Sequence, residues 1–350
     1  VGYPGTVVST WQRGGRVGRG GQDSALVLIA GDDALDQYFL RHPEQLITQS
    51  PESAVVNPAN RDILARHLPC AAVELPLKTD EDYLKPEATR EVVRRLEASG
   101  RLLRGAEGDV LYSPGKAPHR KVDLRGTGNR FRIVSEATGE HTGEIDEFRA
   151  YRETHPGAVY LHKGDTFVVN RLDLNTRTAY AAPMAVNYYT RGMGNKNTEI
   201  LHIDGERAVW GTRAHAGRLK VTDQVTGYET WRIRGNKLLN RFPLDLPPQV
   251  FETQGIWFDI PRAAQEAAER NHLHFMGGIH AIEHAAIGIF PLLVMTDRND
   301  LGGISTPFHP QTGGATVFIY DAIPGGAGLC RSAFVRVEDL LTHTLAAIET

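Results

Sequence analysis

The stretch that most constrains this chain lies near its beginning, where glutamine, glycine and arginine recur at fixed spacing. It reads Gln12-Arg13-Gly14-Gly15-Arg16-Val17-Gly18-Arg19. Arg16 and Arg19 are three residues apart, so we expect them on one face of a helical turn. Each guanidinium can bind a phosphate through two hydrogen bonds, and the glycines leave room for a triphosphate to approach. The pattern predicts an arginine-finger site for a γ-phosphate, with Gln12 beside it. The alternative is a Gly/Arg-rich loop that touches only solvent or nucleic acid.

Composition limits the class of protein. A chain of 350 residues that is 41% hydrophobic can form roughly two to four compact domains. The net charge of −3 gives no overall attraction for nucleic acid, so a DNA-binding surface has to be local. The two cysteines, Cys70 and Cys330, indicate a reducing cytoplasm rather than a disulfide framework. No stretch approaches about 18 unbroken apolar residues, so no membrane span is expected.

Two further features predict that the chain is a fragment. It contains no G-x-x-x-x-G-K-[ST] motif and no D-E-x-H or D-E-A-D run, so it lacks a phosphate cradle of its own. It also opens without methionine, in a segment typical of a strand-to-helix loop. We therefore expect the cradle to lie upstream in the parent protein or on another chain, and this fragment alone to be inactive.

The order of patterns predicts an α/β and α+β multidomain chain. Residues 1–50 read as the end of an α/β domain, in which the apolar run 25–30 would be a strand buried on both faces. Residues 51–129 read as a winged helix, because a helix at 89–98 ends at Gly100 and is followed by a short hairpin. Such a domain either lays one helix on DNA or serves only for packing.

Basic residues cluster in and after the winged helix. They could track a phosphate backbone, although basic clusters are often only solvated surface. The candidate DNA-binding residues are Arg94, Arg95, Lys116, Arg120, Lys121, Arg125 and Arg130.

The remaining residues form two further predicted domains. Residues 130–245 show short alternating runs at about ten-residue spacing, which predict a small β-barrel-like module. Tyr188 and Tyr189 in this module could stack on bases or be partly buried in the sheet. Residues 246–350 predict a terminal α/β domain, in which the glycine-rich turn 324–328 leads into a helix. That turn could hold an anion, but close backbone packing explains it better.

The string His280-Ala281-Ile282-Glu283-His284 is an H-x-x-E-H pattern on a predicted helix. Two histidines four apart can share a zinc ion, with Glu283 as general base of a metallohydrolase. The flanking residues are strongly apolar, which instead favours a buried helix whose histidines bond to acids such as Asp297, Asp300 or Asp321. We prefer the second interpretation and predict no metal ligands.

The chain resembles a known helicase family. The segments 2–6 and 11–19 are similar to the motif VI region, Q-x-x-G-R-x-G-R, of superfamily-two DNA helicases. Similarity continues in patches through 151–162, 187–190, 280–286, 297–303 and 318–328. The family is bacterial and fungal: its bacterial members include mitomycin repair factor A and the mycobacterial helicase SftH, and its fungal members are likened to RecQ-type helicases.

The resemblance implies the C-terminal half of an ATP-dependent, 3′-to-5′ DNA helicase that acts in DNA repair. Residues 1–50 would complete the second RecA-like domain, in which Gln12, Arg16 and Arg19 face ATP and Mg²⁺ held by the upstream RecA-like domain. The substrate would be single-stranded or 3′-tailed DNA. The family's terminal domain usually ends in a four-cysteine zinc cluster, whereas this chain has no C-x-x-C pair. Zinc is therefore expected only through cysteines outside the chain. The non-enzymatic alternative is a DNA- or protein-binding platform.

Overall fold

The computed structural model describes residues 2–18, 20–48, 50, 52–122 and 129–349, except for the side chain of Arg298. The chain divides into two compact units. The first unit comprises Val1–Ala117, Thr198–Lys220 and Glu252–Thr350, and the second comprises Pro118–Asn197 and Val221–Phe251. The first unit therefore contains residues from more than one of the predicted domains. The boundaries of those domains remain a prediction.

The N-terminal residues form three short helices: α1 Val7–Gly14, α2 Ala34–Arg41 and α3 Pro43–Thr48. The strand predicted at 25–30 was wrong, because these residues form neither helix nor strand and most are exposed. A strand buried on both faces requires pairing strands on its sides. The described residues before position 50 contain helices but no strand; the Gly2 amide donates to the Ile29 carbonyl at 2.8 Å, but this contact does not extend into a ladder of strand bonds.

The winged helix occupies the next part of the first unit. Its elements are α4 Arg61–Glu74, β1 Leu77–Lys78, a 3-10 turn Asp82–Leu84, α5 Glu87–Ala98, β2 Leu103–Arg104 and β3 Val110–Tyr112. The three strands form a sheet in the order β1-β3-β2. Val92, Val93 and Leu96 form a buried apolar stripe on α5, and Gly100 adopts a φ of +67° that ends the helix. Burial of such side chains, each worth about 1.5–3 kcal/mol, holds α5 against α4 and the sheet.

The second unit is built on a five-stranded sheet. Its elements are β4 Arg130–Ser135, β5 His141–Asp146, α6 Glu147–Glu153, β6 Val159–His162, β7 Asp165–Asp173 and β8 Thr178–Pro183. The strand order is β5-β4-β8-β7-β6, with β4 and β8 parallel. Lys163 and Gly164 both have positive φ, which makes the tight turn between β6 and β7. The β-rich module is therefore confirmed.

Two much longer strands follow: β9 Tyr188–Val209 and β10 Thr212–Arg232. They pair with each other and turn at Trp210 and Gly211, which both have positive φ. The expectation of only short strands across 130–245 was wrong here. Glycines obscure the alternation, because Gly194 and Gly217 lie so close to the paired backbone that an added Cβ would collide with it. β11 Leu238–Pro243 pairs with β10.

The C-terminal part of the chain, which belongs to the first unit from Glu252 onward, combines an antiparallel sheet with helices. Its elements are β12 Gln249–Ile260, α7 Arg262–Arg270, α8 Phe275–Ile289, a 3-10 turn Phe290–Leu292, β13 Leu301–His309, β14 Gly314–Asp321, α9 Leu329–Phe334 and α10 Val337–Ile348. β14 lies between β12 and β13. A core that includes Ile256, Phe290 and Ile319 packs the helices onto this sheet. The mixed α/β architecture is as the sequence predicted.

One described stretch, Phe275–Leu292, is long and apolar enough to cross a membrane by length and composition alone. It corresponds to α8 and the following 3-10 turn, and α8 contacts β13, β14 and α10. Core helices of folded domains meet the same criterion, so this property is weak evidence for a membrane-spanning helix.

Candidate functional sites

Helix α1 positions the predicted arginine site. Thr6 caps it by accepting a hydrogen bond from the Ser9 amide at 3.0 Å, and the Glu52 carboxylate accepts from the Val7 and Val8 amides at 2.6 and 3.2 Å. A carboxylate at a helix N-terminus also interacts favourably with the helix dipole. Gln12 lies on the last turn of this anchored helix, with its side chain exposed.

The predicted helix from Gln12 to Arg19 is shorter than expected. It ends at Gly14, and Arg16 lies in the turn that follows, with its amide bonded to the Arg13 carbonyl at 3.1 Å. Consecutive glycines favour ending the helix because they gain conformational freedom outside it. Arg16 is exposed, while Arg19 lies outside the described residues. The argument that both arginines share a helical face therefore does not hold for Arg16.

Two of the candidate DNA-binding residues are engaged by carboxylates. Arg94 on α5 contacts Glu87 at 2.7 Å, and Arg130 on β4 contacts Glu144 at 2.6 Å. The hydrogen bond from Arg94, together with the charge of Arg90, lowers the pKa of Glu87. These guanidiniums are thus partly neutralised by their neighbours.

The other described candidates have no such ion pair. Arg95 and Lys116 in the first unit, and Arg120 and Lys121 in the second, are exposed and have no carboxylate partner within the part of the chain that the structure describes. Arg120 and Lys121 lie on the 3-10 turn Pro118–Lys121. Arg125 lies outside the described residues.

The H-x-x-E-H residues form a compact cluster on α8. His280 Nε2 lies 3.1 Å from His284 Nε2, and His280 Nδ1 lies 3.1 Å from Glu283 Oε2. Both histidines are exposed, whereas Glu283 is buried. His280 thus contacts an acid as expected, but that acid is Glu283 rather than one of the aspartates: Asp297, Asp300 and Asp321 accept bonds from nearby backbone amides.

Sequence reasoning missed Ser305 and Gly303 on the adjacent strand β13. Ser305 Oγ lies 3.2 Å from His280 Nδ1. A Cβ added at Gly303 would lie 2.5 Å from Glu283 Oε1, so the carboxylate packs directly against the strand. Neither residue had a spacing signal in the sequence, since β13 approaches α8 only in the folded unit.

The backbone amides at the glycine-rich turn before α9 are bound by a side chain of the same unit. The Asp321 carboxylate accepts hydrogen bonds from the amides of Gly328, Leu329 and Cys330 at 2.7, 3.2 and 2.9 Å. The Asn60 side-chain amide donates to the Gly326 carbonyl at 2.9 Å. An internal carboxylate therefore occupies the position that a phosphate would take, as expected for a packing turn.

Two protein families match separate parts of the chain. The winged helix domain of ATP-dependent helicase HRQ1 matches residues 56–127, and the MrfA Zn-binding domain matches residues 282–350. The first range contains α4, α5 and their three-stranded sheet, so the predicted winged helix is confirmed.

Similarity to whole proteins covers almost all of the chain. The "Uncharacterized ATP-dependent helicase YprA" of Bacillus subtilis (strain 168) is 32% identical over 345 residues, which is 97% of this chain and 45% of the relative. The crystal structure of DUF1998 helicase MrfA bound to DNA matches with 31% identity and a TM-score of 0.62, over 97% of this chain and 45% of that one. The chain is related to the C-terminal part of these helicases. A MrfA structure bound to DNA and AMPPNP matches with 30% identity and a TM-score of 0.60, over 98% of this chain and 45% of that one. The chain thus spans less than half the length of these relatives, and its predicted resemblance to them is confirmed.

The Zn-binding family raises the question of which residues could hold zinc. A cysteine binds zinc as the thiolate. Cys330 is fully buried, and burial raises the pKa of its thiol well above the usual value. Burial also raises the pKa of Cys70, which lies on α4. Among the described residues, the ligand atoms of His280, Glu283 and His284 lie close enough to share an ion, and neither cysteine belongs to this group.

Proposed function

We propose that this chain is the C-terminal portion of an ATP-dependent DNA helicase that acts in DNA repair. The observation that carries the proposal is its similarity, across 98% of its length, to a helicase crystallised with DNA and AMPPNP. On this proposal the intact enzyme moves 3′ to 5′ along single-stranded or 3′-tailed DNA in the cytoplasm. The chain's two units supply DNA contacts and one side of the ATP site.

The ATP side of the proposal rests on Gln12, Arg16 and Arg19. An upstream RecA-like domain would hold ATP and Mg²⁺, and closure of the two domains would bring the guanidiniums to the transferring phosphoryl group. Gln12 would orient the attacking water or the γ-phosphate. The exposure of Gln12 and Arg16 supports this role, because a residue that completes a neighbour's site cannot be buried in its own domain.

Replacing Arg19 in the intact enzyme tests this proposal. Arg19→Ala should lower DNA-stimulated ATP hydrolysis by about 10³-fold or more while DNA affinity is retained. Arg41→Ala, which removes an exposed arginine from α2, serves as the matched control. Unchanged hydrolysis in Arg19→Ala would remove the arginine-finger role. Unwinding of 3′-tailed against 5′-tailed duplexes tests the direction separately.

The DNA side rests on the exposed basic residues. Lysine and arginine that neutralise phosphates release counterions, so binding should weaken as salt rises. The non-catalytic alternative, a DNA- or protein-binding platform, makes the same prediction for DNA affinity. The two proposals differ in their prediction for ATP hydrolysis. If the chain is only a binding platform, Arg19→Ala would leave ATP hydrolysis by the intact protein unchanged.

A further inference from the structure

We propose that His280 and His284 form a binding site for a divalent transition-metal ion, with Glu283 as the residue that positions His280. The site lies on the exposed side of α8 and is independent of the helicase function proposed above. The imidazole ligands fit zinc, nickel or copper.

The spacing of the two histidines suits one shared ion. They are four residues apart on α8, so both side chains project from the same face. Their Nε2 atoms are 3.1 Å apart and the rings meet nearly edge to face. Two zinc–nitrogen bonds of about 2.0–2.1 Å at a tetrahedral angle require a nitrogen separation of about 3.3 Å. The pair is therefore close to a chelating geometry without a change in the helix.

Glu283 determines which nitrogen of His280 is available. A carboxylate accepts hydrogen bonds, so the contact of 3.1 Å between Glu283 Oε2 and His280 Nδ1 places the proton on Nδ1. The lone pair then lies on Nε2, the atom that faces His284. Metal-binding histidines commonly donate their second ring N–H to a carboxylate in this way.

Glu283 itself is packed inside the fold. It is only 5% exposed, and its carboxylate lies against the backbone of Gly303. Ser305 Oγ approaches the same ring nitrogen of His280 at 3.2 Å. Because Glu283 is directed into the fold while the histidines are exposed, it orients a ligand rather than activating a water. This arrangement disfavours the metallohydrolase alternative, in which Glu283 would be the general base.

The site can be tested by titrating the chelator-treated 350-residue chain, which carries no C-x-x-C pair, with Zn²⁺ in a calorimeter. The wild type should bind zinc with 1:1 stoichiometry, and the double variant His280→Ala/His284→Ala should lose this binding. Glu283→Gln keeps the shape of the side chain and should weaken affinity by about 10- to 100-fold. His67→Ala, at an exposed histidine of α4, should bind as the wild type does.

A spectroscopic readout identifies the ligands independently. With Cu²⁺, electron paramagnetic resonance of the wild type should show nitrogen hyperfine splitting from two imidazoles, and the double variant should lose it. Equal zinc affinity in the wild type and the double variant would overturn the proposal, as would absence of zinc binding by the wild type. Circular dichroism of each variant verifies folding, which replacement of two exposed side chains should leave intact.

Discussion

The arginine segment, Gln12 to Arg19, and the histidine cluster, His280 to His284, were both recognised as short motifs, but they depend on different neighbours. Arg16 is exposed after the end of α1, and its proposed chemistry requires ATP held by another domain. His280 has its orienting carboxylate three residues away and Ser305 on the next strand. A motif can therefore be highly specific and still incomplete, while a less specific motif can carry its supporting contacts within one unit.

The largest expected effect concerns the arginine segment. Arg16→Ala in the intact enzyme should reduce ATP turnover by about 10³-fold, because it would remove charge stabilisation from the transferring phosphoryl group. The thermal midpoint should stay unchanged, since the side chain is exposed. Steady-state ATP hydrolysis and a melting curve measure the two quantities, with His280→Ala/His284→Ala as the control that should keep full turnover. A loss of stability that matched the loss of turnover would mean that Arg16 is structural.

The next effect concerns the support of the histidine cluster. Gly303→Ala places a Cβ 2.5 Å from Glu283 Oε1, so we expect the free energy of unfolding to fall by about 1–3 kcal/mol. Displacement of Glu283 should also weaken zinc binding. Gly314→Ala on β14, where an added Cβ meets nothing within 4 Å, is the matched control. Urea unfolding measures both variants, and equal stability would show that Glu283 can move freely.

A smaller effect distinguishes basic residues that have no carboxylate partner among the described residues from those in ion pairs. Arg120→Ala/Lys121→Ala should lower the affinity for single-stranded DNA and reduce the slope of log affinity against log salt by about 0.7 per lost contact. Arg94→Ala/Arg130→Ala should change both less, since Glu87 and Glu144 already engage these guanidiniums. Fluorescence anisotropy across a salt series compares the variants. The reverse ranking would show that the ion pairs open on DNA.

The smallest expected effect concerns the pH dependence of stability that comes from the buried His155. Burial lowers the pKa of His155, whose ring packs on Tyr228 at 4.5 Å. The unfolded state therefore binds a proton more readily than the native state, and stability falls as pH drops below about 6.5. The loss is at most about 1.4 kcal/mol per pH unit. Urea unfolding at pH 7.5 and 5.5 should show a shallower dependence in His155→Phe, and an equal dependence would assign the effect to other groups.

Much of the fold followed from local pattern. Helix α5, Glu87–Ala98, covers the helix predicted at 89–98 and ends just before Gly100, because apolar periodicity and a terminating glycine act over a few residues. The apolar run at 25–30 failed as a strand because hydrophobicity does not specify a pairing partner. The long pair β9 and β10 was missed because close strand packing at glycines removes the alternating signal.

The sequence by itself determined the helicase relationship, the winged helix and the presence of the H-x-x-E-H string, since each depends on residue identity at short spacing. Only the tertiary structure decided that α1 ends before Arg16, that Asp321 fills the glycine turn, and that Glu283 faces His280 rather than solvent. The direction of Glu283 depends on a strand distant along the chain, because its carboxylate packs against Gly303 of β13. Gly303 and Ser305 reach α8 only because β13 packs beside it, and no spacing in the sequence encodes that approach.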